Sequence, residues 1–88
     1  MKYTCTIRTE LLTENTIIQN DGFGSIEFIN YTNAEVYVNN LLLPQYTSGF
    51  AQMRFINEPY VTITNDFKVI SGAPNISVGV IKYYYSEI

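Results

Sequence analysis

The sequence contains no histidine and only one cysteine, and both features limit the chemistry that its side chains can carry out. Histidine is the commonest general base and the commonest metal ligand, so its absence excludes Ser-His-Asp and Cys-His nucleophiles and ordinary zinc sites. Cys5 has no partner for an intrachain disulfide, and a lone thiol in a strand is most often a buried core residue. We therefore expect no catalytic residue, no cofactor, no metal ion and a buried Cys5.

Charged residues are also scarce, at 15% of the chain against about 25% in a typical domain. The net charge is −3, and the five basic residues are scattered along the chain: Lys2, Arg8, Arg54, Lys68 and Lys82. Binding to a phosphate backbone requires clustered basic side chains, so we expect no direct nucleic-acid partner. A surface with few charges suits subunit interfaces, and we expect a homo-oligomer.

Long apolar segments are missing as well. No stretch of 18 apolar residues occurs, and the first residues carry one lysine without a following apolar run. Such a sequence predicts no membrane span and no secretion signal, and hence synthesis in a cytoplasm.

What the chain does contain is β-branched and aromatic residues that alternate with polar ones in short runs, separated by glycine, proline and asparagine. This pattern predicts an all-β protein. With 88 residues, the chain suits a single domain, residues 1–88, folded as a small antiparallel β-sandwich or jelly-roll-like domain of about eight short strands.

Individual strands follow from the same alternation. Residues 11–14 could form a helical turn instead of a strand. Gly22-Phe23-Gly24-Ser25 is interpreted as a hairpin turn rather than a phosphate-binding loop. Apart from the hairpins, the predicted strands are residues 3–8, 16–19, 25–30, 51–55 and 76–85, the last being the longest.

A hairpin is predicted over residues 35–43. Asn39 and Asn40 form its two-residue turn, because asparagine accepts the positive φ that such turns require. The register then places four apolar side chains on one core-facing side: Val36, Val38, Leu41 and Leu43.

A second hairpin is predicted over residues 60–70, with a three-residue loop at residues 64–66. This loop keeps apolar residues opposite one another on one face. The predicted pairs are Ile63 with Phe67 and Val61 with Val69.

Three consecutive tyrosines lie near the end of the last predicted strand. Alternation places Tyr83 and Tyr85 on the same face as Ile81, whereas Tyr84 lies on the opposite face and continues the apolar line toward the core rim. We predict that Ile81, Tyr83 and Tyr85 contact a neighbouring subunit or partner, since tyrosine combines a rigid apolar ring with a polar tip. Packing within the monomer and binding of a carbohydrate or aromatic ligand are the alternatives.

Two carboxylates, Glu27 and Glu35, could lie on neighbouring strands in the manner of a glycosidase. Sugar clefts normally also supply tryptophan, which this chain lacks. We interpret both residues as solvated surface acids.

The segment from Ile26 to Tyr85, about two thirds of the chain, resembles small β-rich accessory virion proteins of bacteriophages. Its core reads I-E-F-I-N-Y-T-N-A-E-V-Y-V-N-N-L-L-L-P from Ile26 to Pro44. In those proteins a V-Y-V-N-G-x-x-L-P hairpin precedes a polar loop, and here Asn40 replaces the usual glycine. The resemblance implies a homo-oligomeric capsid decoration, spike or fibre-base component without an active site.

These observations predict a non-catalytic structural or assembly protein located in the virion, with other virion proteins as partners. The alternative function is a soluble β-sandwich module that binds carbohydrate or a host-surface receptor.

Overall fold

The computed structural model describes residues 2–58 and 61–88, which form eight β-strands and one 3-10 turn at Tyr46–Ser48. The strands are β1 Tyr3–Leu12, β2 Thr16–Ile18, β3 Ser25–Asn30, β4 Val36–Val38, β5 Leu41–Leu43, β6 Gln52–Ile56, β7 Phe67–Ile70 and β8 Val78–Glu87. The predicted all-β fold is confirmed.

The strands form two antiparallel four-stranded sheets that pack as a sandwich. The first sheet has the order β1-β8-β3-β6 and the second has the order β2-β7-β4-β5. One cluster of buried apolar side chains lies between them. At its centre, the Phe67 ring of the second sheet lies 5.5 Å from the Phe28 ring and 5.0 Å from the Phe55 ring of the first.

The hairpin β4–β5 has the predicted register. Asn39 and Asn40 have φ angles of 48° and 67°, as a two-residue turn of this kind requires. Three of the four predicted core side chains are fully buried. Leu41 is 53% exposed, because it lies beside the turn on β5, the last strand of its sheet.

The second predicted hairpin is wrong. β7 pairs with β2 on one edge and with β4 on the other, so neither edge is free for residues 61–63. These residues form no strand. Ile63 is buried instead against the connection between the sheets, where its N–H donates to the Phe23 carbonyl at 3.1 Å. Tyr60 lies outside the described residues.

Two connections also differ from expectation. Residues 11 and 12 end β1 as strand residues, so residues 11–14 form no helical turn. The segment 22–25 leads from β2 in the second sheet to β3 in the first and is not a hairpin turn. Gly22 has a φ of 108°, and Phe23 is fully buried between the sheets.

The first sheet contains a long two-stranded ribbon. β1 and β8 pair over ten residues each, whereas β3 covers β8 only from Val78 to Tyr83. Each ribbon strand has ten residues, so β8, which was predicted as the longest strand, is matched in length by β1. The molecule is elongated, at 44 × 24 × 19 Å. Cys5, opposite Tyr85 in this ribbon, is exposed rather than buried as predicted. Cys5 points to the outer face of the sheet, as Tyr85 does, and lies on the terminal strand.

Candidate interaction surface

The outer face of the first sheet carries the three predicted contact residues. In β8, Val78 and Val80 point into the core and are buried, so Ile81, Tyr83 and Tyr85 point outward. All three are half-buried. The structure thus confirms that they share one face, while their contact with a partner remains a prediction.

Neighbouring strands add further apolar side chains to this face. Ile7 of β1 lies opposite Tyr83 of β8. On its other side Tyr83 lies opposite Ser25 of β3, which in turn lies opposite Ile56 of β6. Ile7 is 57% and Ile56 is 69% exposed. We call the following set the outer apolar surface: Ile7, Leu11, Ile29, Ile56, Ile81, Tyr83 and Tyr85.

A buried carboxylate lies at the centre of this surface. The Glu27 side chain is only 7% exposed, and its Oε2 accepts a hydrogen bond from Arg54 Nε at 2.8 Å. Gln52 Nε2 donates to the same oxygen, and the Tyr83 hydroxyl donates to Oε1 at 3.4 Å. These donors compensate the desolvation of the carboxylate, which would otherwise be costly. The network joins β3, β6 and β8.

The prediction that Glu27 is a solvated acid beside Glu35 is therefore wrong. Glu27 is a residue of β3 in the first sheet, and Glu35 precedes β4 in the second. The two do not lie on neighbouring strands, so they form no carboxylate pair of the glycosidase kind. Glu35 itself is exposed.

Tyr83 is held in its neutral form by its surroundings. Burial, followed by the charge of Glu27 and the hydrogen bond to it, raises the pKa of Tyr83 above its ordinary value of 10.0. The hydroxyl therefore remains a proton donor to Glu27.

The Tyr85 ring lies beside Gly24, at the beginning of β3. A Cβ atom at Gly24 would approach Tyr85 Cδ2 to 2.7 Å, so only glycine leaves room for the ring. The Tyr85 hydroxyl is 3.3 Å from Ser25 Oγ. Between the two outward tyrosine rings and β6 lies an open cavity of about 210 Å³, whose walls include Glu27, Arg54 and Ile56.

Tyr84 points to the opposite side of β8, as predicted. Its ring packs edge-on against Phe23 at 6.3 Å, and its hydroxyl donates to Asp21 Oδ1 at 2.7 Å. The Arg8 guanidinium lies 5.2 Å from the ring centre. Burial and the hydrogen bond to Asp21 raise the pKa of Tyr84 to about 12.

Sequence reasoning identified three members of the outer apolar surface and missed the other four as well as the Glu27–Arg54 pair. Alternation within β1 places Ile7 and Leu11 on one face and was a usable signal. The pairing of β3 with β6, which brings Glu27 opposite Arg54, depends on sheet order and had no sequence signal.

Comparison with known proteins yields no match among protein families, curated proteins or solved structures. Within residues 2–58 and 61–88, no cluster of three or more histidine, cysteine or acidic side chains is arranged to hold a metal ion. The same residues include no helix of the length and hydropathy needed to span a membrane.

Proposed function

We propose that this chain is a non-catalytic assembly protein that forms a homo-oligomer through the outer apolar surface. The observation that carries the proposal is the exposure of this surface, where Ile7, Leu11 and Ile56 are each more than half exposed. The solvent-facing side of an antiparallel sheet is normally polar. Contiguous exposed apolar patches on a protein commonly mark contact sites for other proteins.

The charges on this face favour a second copy as the occupant. Glu27 and Arg54 lie at the centre of the surface and neutralise each other, so two identical chains with net charge −3 meet there without placing like charges in contact. A standard interface buries about 800 Å² on each partner, about one seventh of the chain's accessible surface of 5618 Å².

Light scattering of the purified chain over micromolar concentrations tests self-association. We expect a mass that is a multiple of 10.1 kDa and that falls on dilution. A constant monomer mass at every concentration would contradict the proposal.

We further propose that the oligomer is an accessory virion component, namely a capsid decoration, spike or fibre-associated protein. The resemblance of residues 26–85 to such phage proteins supports this assignment, and other virion proteins would be its partners. Immunogold labelling of purified virus particles from the source of the sequence tests it. Regular labelling of particles is expected, and particles that lack the chain would contradict it.

A binding module for carbohydrate or a host-surface receptor is the second candidate. The cavity beside Tyr83 and Tyr85 favours it, because two tyrosine side chains there adjoin a carboxylate and a guanidinium, a combination that suits recognition of hydroxyl-rich ligands. A glycan array compares the native chain with Tyr85→Ala. Binding that is lost in the variant would support this function, and no binding by the native chain to any glycan would oppose carbohydrate recognition.

A further inference from the structure

We propose that β1 pairs edge to edge with β1 of a second copy, antiparallel and centred on Thr9, so that two first sheets join into one continuous sheet. This inference rests on the proposed self-association and adds a strand edge to it: Ile7 and Leu11 of the outer apolar surface take part in the edge contact, and the rest of that surface remains available to a further copy. The resulting dimer would have two-fold symmetry, the commonest arrangement of homo-oligomers.

The outer edge of β1 is available for pairing over residues 5–11. β1 is the terminal strand of the first sheet, and among the described residues only β8 pairs with it. Its ten residues include no proline, and their register with β8 is continuous, without a bulge. Proteins often protect a long edge strand with proline, a bulge, a covering segment or charged side chains, because its free backbone groups otherwise recruit another strand. The charges of β1 are one of each sign, Arg8 and Glu10, so they oppose a second copy only in registers that place like charges together.

The direction of the backbone groups can be read from two hydrogen bonds. The Ile88 N–H donates to the Lys2 carbonyl on the β1 side of β8, whereas the Tyr83 carbonyl accepts from Gly24 on the β3 side. Because these directions alternate along antiparallel strands, even-numbered residues of β1 bond to β8. The odd-numbered residues Cys5, Ile7, Thr9 and Leu11 direct their N–H and C=O groups to the open edge.

Pairing centred on Thr9 matches side chains as well as backbone groups. Ile7 faces Leu11 of the second copy on the outer side, where each of these side chains is 57% exposed. Arg8 faces Glu10 of the second copy on the inner side. The two-fold axis repeats both matches, which makes the edge complementary to itself.

Nearby registers are less favourable. If one β1 strand is shifted by a single residue relative to the other, the edge-facing N–H and C=O groups of one copy lie opposite residues of the other copy whose backbone groups are already bonded to β8. Centring on Arg8 or on Glu10 instead places like charges directly opposite each other, which is destabilising in a sheet. Both charged side chains are already fixed on the inner side: Glu10 Oε1 lies 3.3 Å from Lys82 Nζ, and Arg8 lies over the Tyr84 ring.

Disulfide crosslinking of introduced cysteines tests the register of the β1–β1 pairing directly. In a Cys5→Ser background, Thr9→Cys places two thiols opposite each other across the symmetry axis, at a spacing that a disulfide spans. Mild oxidation should convert most of this variant to a covalent dimer of twice 10.1 kDa. The matched control is Thr6→Cys, whose two copies would lie about 20 Å apart and should remain uncrosslinked. Preferential crosslinking of Thr6→Cys or of Ile7→Cys would overturn the register.

A proline substitution tests the pairing without crosslinks. Thr9→Pro removes an N–H that β8 does not use, so the variant should keep its β-sheet circular dichroism but lose the edge contact and show a smaller mass than the native chain by light scattering. Thr9→Val retains the N–H and should keep the mass of the native chain. If the native chain is oligomeric and Thr9→Pro keeps the same mass, the edge pairing is wrong while the proposed function stands. A native chain that is monomeric throughout would remove both.

Discussion

At the scale of single residues, the carboxylate of Glu27 is the least expected feature of the protein. It is a buried acid on the outward side of a sheet, and it persists there because three donors from β6 and β8 surround it. Its ion-pair partner Arg54 is 59% exposed, so water weakens the attraction between the two charges. The main role of the donors is therefore to satisfy a desolvated group.

Arg54→Ala should lower the free energy of unfolding by about 1 to 2 kcal/mol, because it leaves Glu27 with fewer donors in a dry position. Urea denaturation measures this value. Adding Glu27→Gln to Arg54→Ala should recover part of the loss, since the remaining group is then neutral. Lys68→Ala, which removes an exposed cation from the second sheet, serves as the control and should change stability by less than about 0.5 kcal/mol. Equal losses for Arg54→Ala and Lys68→Ala would contradict this account of Glu27.

Tyr84 makes the stability of the fold sensitive to alkaline pH. Its folded pKa of about 12 exceeds the ordinary value of 10.0, so folding favours the neutral phenol. The resulting stabilisation is fully present below pH 10 and is lost as pH rises from 10 to 12. The urea midpoint of the native chain should therefore fall more steeply over this range than that of Tyr84→Phe. Parallel pH profiles of the two proteins would show that Tyr84 does not contribute in this way.

Among the strands, the β4–β5 hairpin has a turn that is set by the local sequence, whereas its side chains are buried only by the strands and the sheet around it. Its turn needs only two asparagines that accept positive φ. The burial of Val38, by contrast, requires both β7, its direct neighbour, and the opposing sheet. Leu41, which faces Val38 across the hairpin, remains half-exposed at the end of the edge strand β5.

The two residues form a matched pair for mutation. Val38→Asp should destabilise the protein by more than about 3 kcal/mol, because it buries an unpaired charge. Leu41→Asp on the same face should cost less than about 1 kcal/mol, since water reaches that position. Thermal melts distinguish the two outcomes, and similar losses would mean that Leu41 is buried in the native assembly.

At the scale of the whole molecule, the sandwich leaves both outer faces partly apolar. The second sheet exposes Ile17, Tyr37 and Leu42 on its outer side, which provides an internal comparison for the outer apolar surface. The first sheet differs in its ten-residue ribbon and in the two tyrosine rings that lie along β3. Those rings contribute to the fold as well as to any interface.

Changing Tyr83 and Tyr85 together to serine should weaken assembly at least tenfold while leaving a β-sheet spectrum, because interface anchors of this type commonly contribute about 2 kcal/mol or more. The midpoint of dissociation in sedimentation experiments measures the change. The control is Tyr37→Ser with Leu42→Ser on the second sheet, which should assemble like the native chain. Tyr84→Ser should act chiefly on the melting temperature. An assembly that depends on the control pair and not on Tyr83 and Tyr85 would move the interface to the second sheet.

Features that depend on neighbours along the chain could be predicted from the sequence alone. Alternation placed Ile81, Tyr83 and Tyr85 on one face of a strand, and Asn39 with Asn40 set the register of β4–β5. These features follow from backbone dihedral angles and from the period of two in a strand, both of which are local.

The choice of which strands become neighbours depends on the complete fold. Phe67 and Val69 could have paired with residues 61–63, but β2 and β4 occupy both edges of β7. Sheet order likewise exposed Cys5 on a terminal strand and brought Arg54 opposite Glu27, which made a buried network from an apparent surface acid. Pairing between distant segments depends on the free energy of the complete core and of all backbone hydrogen bonds together. Local alternation therefore predicts strands without predicting their partners.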